Sequence, residues 1–123
     1  GRKELARILI MDDDAAVRTA LKILLQNEGH EITEANNAAE GAKIYSTSAP
    51  DLIITDLLMP ERDGVEALLE LRSQYPDIKT IVISGDATEF LPIVEDLGAG
   101  RTLAKPFKSQ DVVDAVNELL ATD

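Results

Sequence analysis

The sequence predicts a single α/β domain built as a doubly wound, five-stranded parallel sheet with helices on both faces. Three observations carry that prediction. Short apolar runs alternate with stretches whose apolar residues recur at helical spacing. The apolar runs lead into polar or charged residues at their C-terminal ends, where open parallel sheets form their sites. The chain has 123 residues, enough to bury one core.

The elements follow in order. "RILIM" (Arg7 to Met11) reads as a buried strand. Val17, Leu21, Leu24 and Leu25 then fall on one helical stripe, and Gly29 marks its stop. "HEITEA" (His30 to Ala35) is a weaker strand, and Asn37 with Glu40 three residues on resembles a capping box opening the second helix. "DLIIT" (Asp51 to Thr55) is the next buried strand. "MPERDG" is turn chemistry, with Gly64 serving the backbone. Val65, Leu68, Leu69 and Leu71 mark a third helix that ends before Pro76, and "KTIVIS" (Lys79 to Ser84) is the fourth strand. Pro92 fits only the first turn of a helix, so a short fourth helix is expected from about Leu91 to Gly98, after "DATEF" as loop. "RTLA" (Arg101 to Ala104) is a short fifth strand. Ser109 is the expected N-cap of the last helix, whose stripe is Val112, Val113, Val116, Leu119 and Leu120.

Composition narrows the function. With 23 acidic and 12 basic residues the formal charge is −11, which disfavours nucleic acid and anionic membrane as direct partners. Two Phe and two Tyr make a poor base-stacking platform. The absence of Cys excludes a disulfide framework, a thiol nucleophile and a thiolate metal site, and fits a reducing cytoplasm. No run approaches a membrane span, and no signal peptide is visible. His30 is the only histidine, and its place at the second strand gives it a structural role away from the strand ends.

Those ends concentrate the chemistry. Strand one ends at Asp12 and Asp13, strand three at Asp56, strand four at Ser84, and strand five runs into Lys105. Three carboxylates on one sheet edge repel one another unless a cation joins them. Mg²⁺ suits the set, since it takes oxygen ligands and keeps several waters. A phosphoryl group also fits, with metal on one oxygen, the Lys105 ammonium on another and the Ser84 hydroxyl on a third. One aspartate can then act as nucleophile and form an acyl phosphate. Alone, "DDD" is a solvated helix start, Asp56 a strand-end turn residue and Lys105 a solvated lysine. Asp14 keeps that plainer reading, as an exposed residue near the helix start.

In their order and spacing, "DD" after strand one, "TDLLMP…DG" around Asp56, "SG" (Ser84, Gly85) after strand four and "KPF" after strand five resemble the receiver domain of bacterial two-component response regulators. The resemblance covers essentially residues 1–123, as one CheY-like domain with no output domain within it. It implies a flavodoxin-like sheet of order 2-1-3-4-5 with five helices. It implies Asp56 as phospho-acceptor from a histidine kinase or phosphotransfer protein. It implies Mg²⁺ or Mn²⁺ held by Asp13 directly, by Asp12, by Asp56 and by the Leu58 carbonyl. Ser84, with Gly85 beside it, and Lys105 would contact the phosphoryl group, and Lys105–Pro106 would be a cis peptide. A downstream protein target or output domain is implied, in a stand-alone cytoplasmic regulator or the receiver part of a longer protein. The face from the fourth helix through the fifth is the family's usual dimer or target surface.

The sequence departs from that pattern in two places. The family usually carries an aromatic residue three before the lysine, where this chain has Thr102. Leu58 and Asp86 occupy positions that tune acyl-phosphate hydrolysis in the family. Two other readings are carried. One is a degenerate receiver acting as an unphosphorylated binding module. The other is a haloacid-dehalogenase-like phosphatase with Asp12 and Asp14 as its aspartate pair.

Overall fold

The computed structural model describes residues 5–56, 70, 72–85 and 100–121. In chain order these form β1 (Arg7–Met11), α1 (Ala15–Asn27), β2 (Glu31–Ala35), α2 (Ala38–Thr47), β3 (Leu52–Asp56), β4 (Lys79–Ser84), β5 (Arg101–Ala104) and a C-terminal helix (Ser109–Leu120). Every strand pair is parallel, and the sheet order is β2-β1-β3-β4-β5. Residues 72–74 are also helical and precede Pro76, where the third predicted helix was to end. The "MPERDG" turn and the short helix expected around Pro92 lie outside the described residues.

Period-two alternation sorts the strand side chains into two layers. Ile8, Ile10, Leu52, Ile54, Ile81 and Ile83 pack with Leu21 and Leu25 of α1 and with Val112, Ala115 and Val116 of the C-terminal helix. Leu9, Met11, Ala35 and Ile53 face the other way, against Tyr45 of α2 and Ile78. The register matches Ile8 to Leu52, Leu9 to Ile53 and Ile54 to Ile81, so neighbours across the strands share a face. Each buried Ile or Leu contributes about 1.5–3 kcal/mol, and these strands are apolar because both faces are covered.

Local chemistry sets the element ends. Glu28 caps α1, and Gly29 follows at φ 96°, a left-handed conformation that glycine adopts without steric cost. In α2, Gly41 lies against β1, and a Cβ there would fall 2.0 Å from Met11 Sδ. Asn37 caps α2 by accepting from the Glu40 N–H at 2.8 Å. Glu40 reaches back to the Asn36 N–H at 3.4 Å, one residue beyond the N-cap N–H that a capping box would use. Asn37→Ala is expected to cost about 1 kcal/mol, read as a lower urea midpoint at unchanged slope.

Three boundaries differ from the sequence reading. β2 begins at Glu31, one residue after the predicted start at His30. β3 runs one residue later, because Asp51 stands just outside it, its carboxylate accepting from the Arg7 N–H at 2.9 Å. Ser109 is the first helical residue rather than the N-cap. The chain stays extended through Lys108, whose carbonyl accepts from the Asp111 and Val112 N–H groups and closes the first turn. Among the described residues no helix is long and apolar enough to cross a membrane.

Candidate phosphoryl and metal site

Because the strands are parallel and in register, their C-terminal ends meet at one edge. Asp12 follows the last residue of β1 and is fully buried. Its N–H donates to the Ala35 carbonyl at 3.2 Å, which ties it to the end of β2. Its Oδ1 accepts from the Asp14 N–H at 2.8 Å, and its Oδ2 lies 3.2 Å from Lys105 Nζ. Asp56 ends β3 and is 6% exposed, with Oδ2 2.7 Å from the same ammonium. Lys105 therefore bridges two carboxylates from different strands with charge-assisted hydrogen bonds. Asp13 is exposed at the same edge. Asp12, Asp13 and Asp56 each bring a carboxylate oxygen to within 4.8 Å of the others.

The charges explain one another. Burial pushes the Asp12 carboxyl above its ordinary range, and the nearby Asp56 charge pushes the same way. The Asp14 N–H and Lys105 oppose that shift without cancelling it. Burial alone would lower the Lys105 ammonium. Its hydrogen bond to Asp56 and the charges of Asp12 and Asp56 outweigh burial and hold it above the usual lysine value. Two carboxylates and one ammonium thus leave the edge net negative, before the exposed Asp13 is added. A donor set of hard oxygens with excess negative charge fits a divalent cation such as Mg²⁺. It suits neither a soft metal nor zinc's usual nitrogen and sulfur ligands.

The other sequence-derived residues fall in known places. Ser84 ends β4 opposite Ala104, and Gly85 follows in an exposed turn with open space where a Cβ would stand. Thr102 is half-buried on β5, opposite Val82. The Lys105–Pro106 peptide is cis. Leu58 and Asp86 lie outside the described residues. His30 is buried at the opposite end of the sheet, where its Nδ1 accepts from the Ala6 N–H at 3.1 Å.

Asp14 is more than an exposed neighbour. It is the N-cap of α1, its Oδ1 accepting from the Ala16 N–H at 2.9 Å and the Val17 N–H at 3.4 Å. This bonding gives Asp14 a role of its own at the start of α1.

Arg18 is the residue the sequence reading missed. Its Nη1 donates to the Asp12 carbonyl at 2.6 Å, and its Nε lies 3.5 Å from Glu34. Asp14 to Arg18 is one helical turn, so a cation at that spacing after the aspartates was the signal available.

The family model for the response regulator receiver domain matches residues 8–117. The chemotaxis protein CheY of Bacillus subtilis is 35% identical over 93% of this chain and 97% of that protein. CheY of Thermotoga maritima is 34% identical over 92% and 96%. A match to the DNA-binding transcriptional regulator NtrC of Azospirillum brasilense, also 34% identical, spans 24% of that longer protein. Among solved structures, the CheY-like receiver domain protein of Methanospirillum hungatei superposes with a TM-score of 0.89 at 31% identity, covering 95% of this chain and 94% of that one. The response regulator TrrA of Thermotoga maritima, solved in complex with Mg²⁺–BeF, gives 0.86 at 31% identity and covers 94% and 99%.

Proposed function

Since the chain belongs to the response regulator receiver domain family, we propose that it is a Mg²⁺-dependent phospho-acceptor that takes a phosphoryl group onto Asp56 and changes partner binding in response. The observation that carries this is the Lys105 ammonium seated between Asp12 and Asp56, 3.2 and 2.7 Å from their oxygens, in a three-carboxylate cluster. A Mg²⁺–BeF complex of a relative with the same fold supports the same reading.

In the proposed transfer, an Asp56 carboxylate oxygen forms the new P–O bond. The P–N bond to the donor's imidazole breaks, and the imidazole nitrogen keeps its electron pair. Lys105 holds Asp56 Oδ2 in place beforehand and would pair with a phosphoryl oxygen afterwards. Asp12, Asp13, Asp56 and the Leu58 carbonyl would hold Mg²⁺ or Mn²⁺, which supplies positive charge where the phosphoryl oxygens gather it. Ser84 would donate its hydroxyl to another of those oxygens, beside Gly85. Asp86 and Leu58 would set how fast water hydrolyses the product. The donor would be a cytoplasmic histidine kinase or phosphotransfer protein, and the acceptor of the signal a protein target or output domain. Thr102 lacks the ring that reports phosphorylation in the family, so the readout would run through the segment after Gly85.

The test is incubation with acetyl phosphate, with and without Mg²⁺, followed by the intact mass. A Mg²⁺-dependent phosphoryl adduct is expected, and its absence would overturn the proposal. Proton linkage gives a second prediction. The raised Asp12 carboxyl binds protons that a cation must displace. Mg²⁺ affinity should therefore fall as the pH is lowered from neutrality, starting above the range where an ordinary aspartate titrates. Calorimetry in buffers of different ionisation enthalpy should show proton release growing toward the acidic end.

A further inference from the structure

We propose that Arg18 is a positioning residue of the acidic site, setting the direction of Asp13 through the peptide that joins it to Asp12. The inference rests on the Mg²⁺-binding reading above. Arg18 Nη1 donates to the Asp12 carbonyl oxygen at 2.6 Å. That oxygen and the Asp13 N–H belong to one planar peptide unit, so holding the oxygen holds the plane. The plane in turn fixes the direction in which the Asp13 Cα leaves it.

Asp12 is held elsewhere by separate groups. Its N–H is on the Ala35 carbonyl, and its carboxylate is on the Asp14 N–H and Lys105. Arg18 supplies the anchor for its carbonyl. The guanidinium is itself braced. Its Nε is 3.5 Å from Glu34 Oε1, and Lys22 Nζ is 3.4 Å from Glu34 Oε2. Glu34 directly precedes Ala35 on β2. Both backbone polar groups of Asp12 are thus tied to two consecutive residues of one strand, by the Ala35 backbone on one side and the Glu34–Arg18 bridge on the other. The Arg18 side chain is only 17% exposed, so water competes weakly for these bonds. A rigid fork that serves a carboxylate and a carbonyl together suits arginine better than the single ammonium of lysine. Asp13 is exposed and takes its direction from the turn that carries it.

Groups of this kind raise metal affinity by orienting the ligands without touching the metal. Arg18→Met keeps the apolar stem and removes the fork. Calorimetry should show Mg²⁺ binding weakened about tenfold, and the Asp13 amide NMR signal should shift in the Mg²⁺-free protein. Labelling by acetyl phosphate should return toward the parent rate at saturating Mg²⁺, with the acetyl phosphate dependence unchanged. Arg18→Lys should fall between the two. Glu34→Gln should weaken Mg²⁺ in the parent and add nothing in the Arg18→Met background. Parent Mg²⁺ affinity with an unmoved Asp13 amide in Arg18→Met would overturn the proposal. So would a labelling defect that saturating Mg²⁺ leaves in place. Should Arg18→Met not fold, Arg18→Lys and Glu34→Gln carry the same measurements. A parent protein that binds no Mg²⁺ would instead overturn the receiver chemistry beneath the inference.

Discussion

Asp56→Asn is expected to take up no phosphoryl group from acetyl phosphate at any Mg²⁺ concentration, while the parent acquires one. An amide oxygen lacks the negative charge that makes a carboxylate a usable nucleophile. Asp12 offers no substitute, because it is fully buried, with one oxygen on the Asp14 N–H and the other on Lys105. The variant should stay folded. Asparagine has nearly the same shape, Lys105 keeps Asp12 as a partner, and Asp12 loses a like charge that was raising its carboxyl. Circular dichroism and thermal unfolding check that point in the same sample. Mg²⁺ should still bind, more weakly, through the remaining aspartates. An adduct that persists in Asp56→Asn would move the nucleophile to another residue and break the assignment.

The parts of this fold legible in the sequence were those set by periodicity and by strand-end chemistry. Arg7–Met11, Lys79–Ser84 and Arg101–Ala104 appear with the boundaries their apolar runs suggested. The convergence of Asp12, Asp56 and Lys105 followed from parallel strands ending at one edge. What sequence could not show was side-chain geometry across elements. The spacing of Arg18 put a cation near the aspartates, but nothing local says which atom it reaches, or that Glu34, on a different strand, braces it. Gly41 reads as a poor helix residue until α2 is placed on Met11, where only hydrogen fits. The tilted pairing of Tyr45 and Tyr75, with centroids 4.1 Å apart, joins α2 to the chain before β4 and has no sequence signature. Asp14 was visible as the third member of a triplet, but its capping bonds depend on where α1 begins. Ser109 misled because serine is a frequent N-cap, whereas the extended chain through Lys108 had already placed it inside the helix.

Lys105→Met should lower the stability of the Mg²⁺-free protein at neutral pH by about 1.5–3 kcal/mol, the range for losing a hydrogen bond to a charged group. It should also make Mg²⁺ bind more tightly. In the parent the ammonium is the internal counter-ion of Asp12 and Asp56, and a divalent cation must share those oxygens with it. Without it, two buried like charges lose the ammonium that bridges them. The signs follow from linkage. The raised Lys105 ammonium contributes stability that is complete below the unfolded lysine value and is lost only as pH rises through the higher folded one, so it is fully present at pH 7. The raised Asp12 carboxyl has the same sign in a lower window: its contribution is complete below the ordinary aspartate value and is lost as pH rises through the higher folded one, so at neutral pH it is gone. Removing the lysine takes away a charge that holds the Asp12 carboxyl down, and so pushes it further up. The Mg²⁺-free variant should therefore gain on the parent as the pH is lowered from neutrality, and the two stabilities should converge in mild acid. Saturating Mg²⁺ should restore more stability to the variant than to the parent, by mass action on a tighter site. Urea titrations at several pH values, with and without Mg²⁺, read all three effects. A variant whose stability deficit is the same at every pH and unmoved by Mg²⁺ would mean that Lys105 acts through packing and not as the counter-ion of the aspartates.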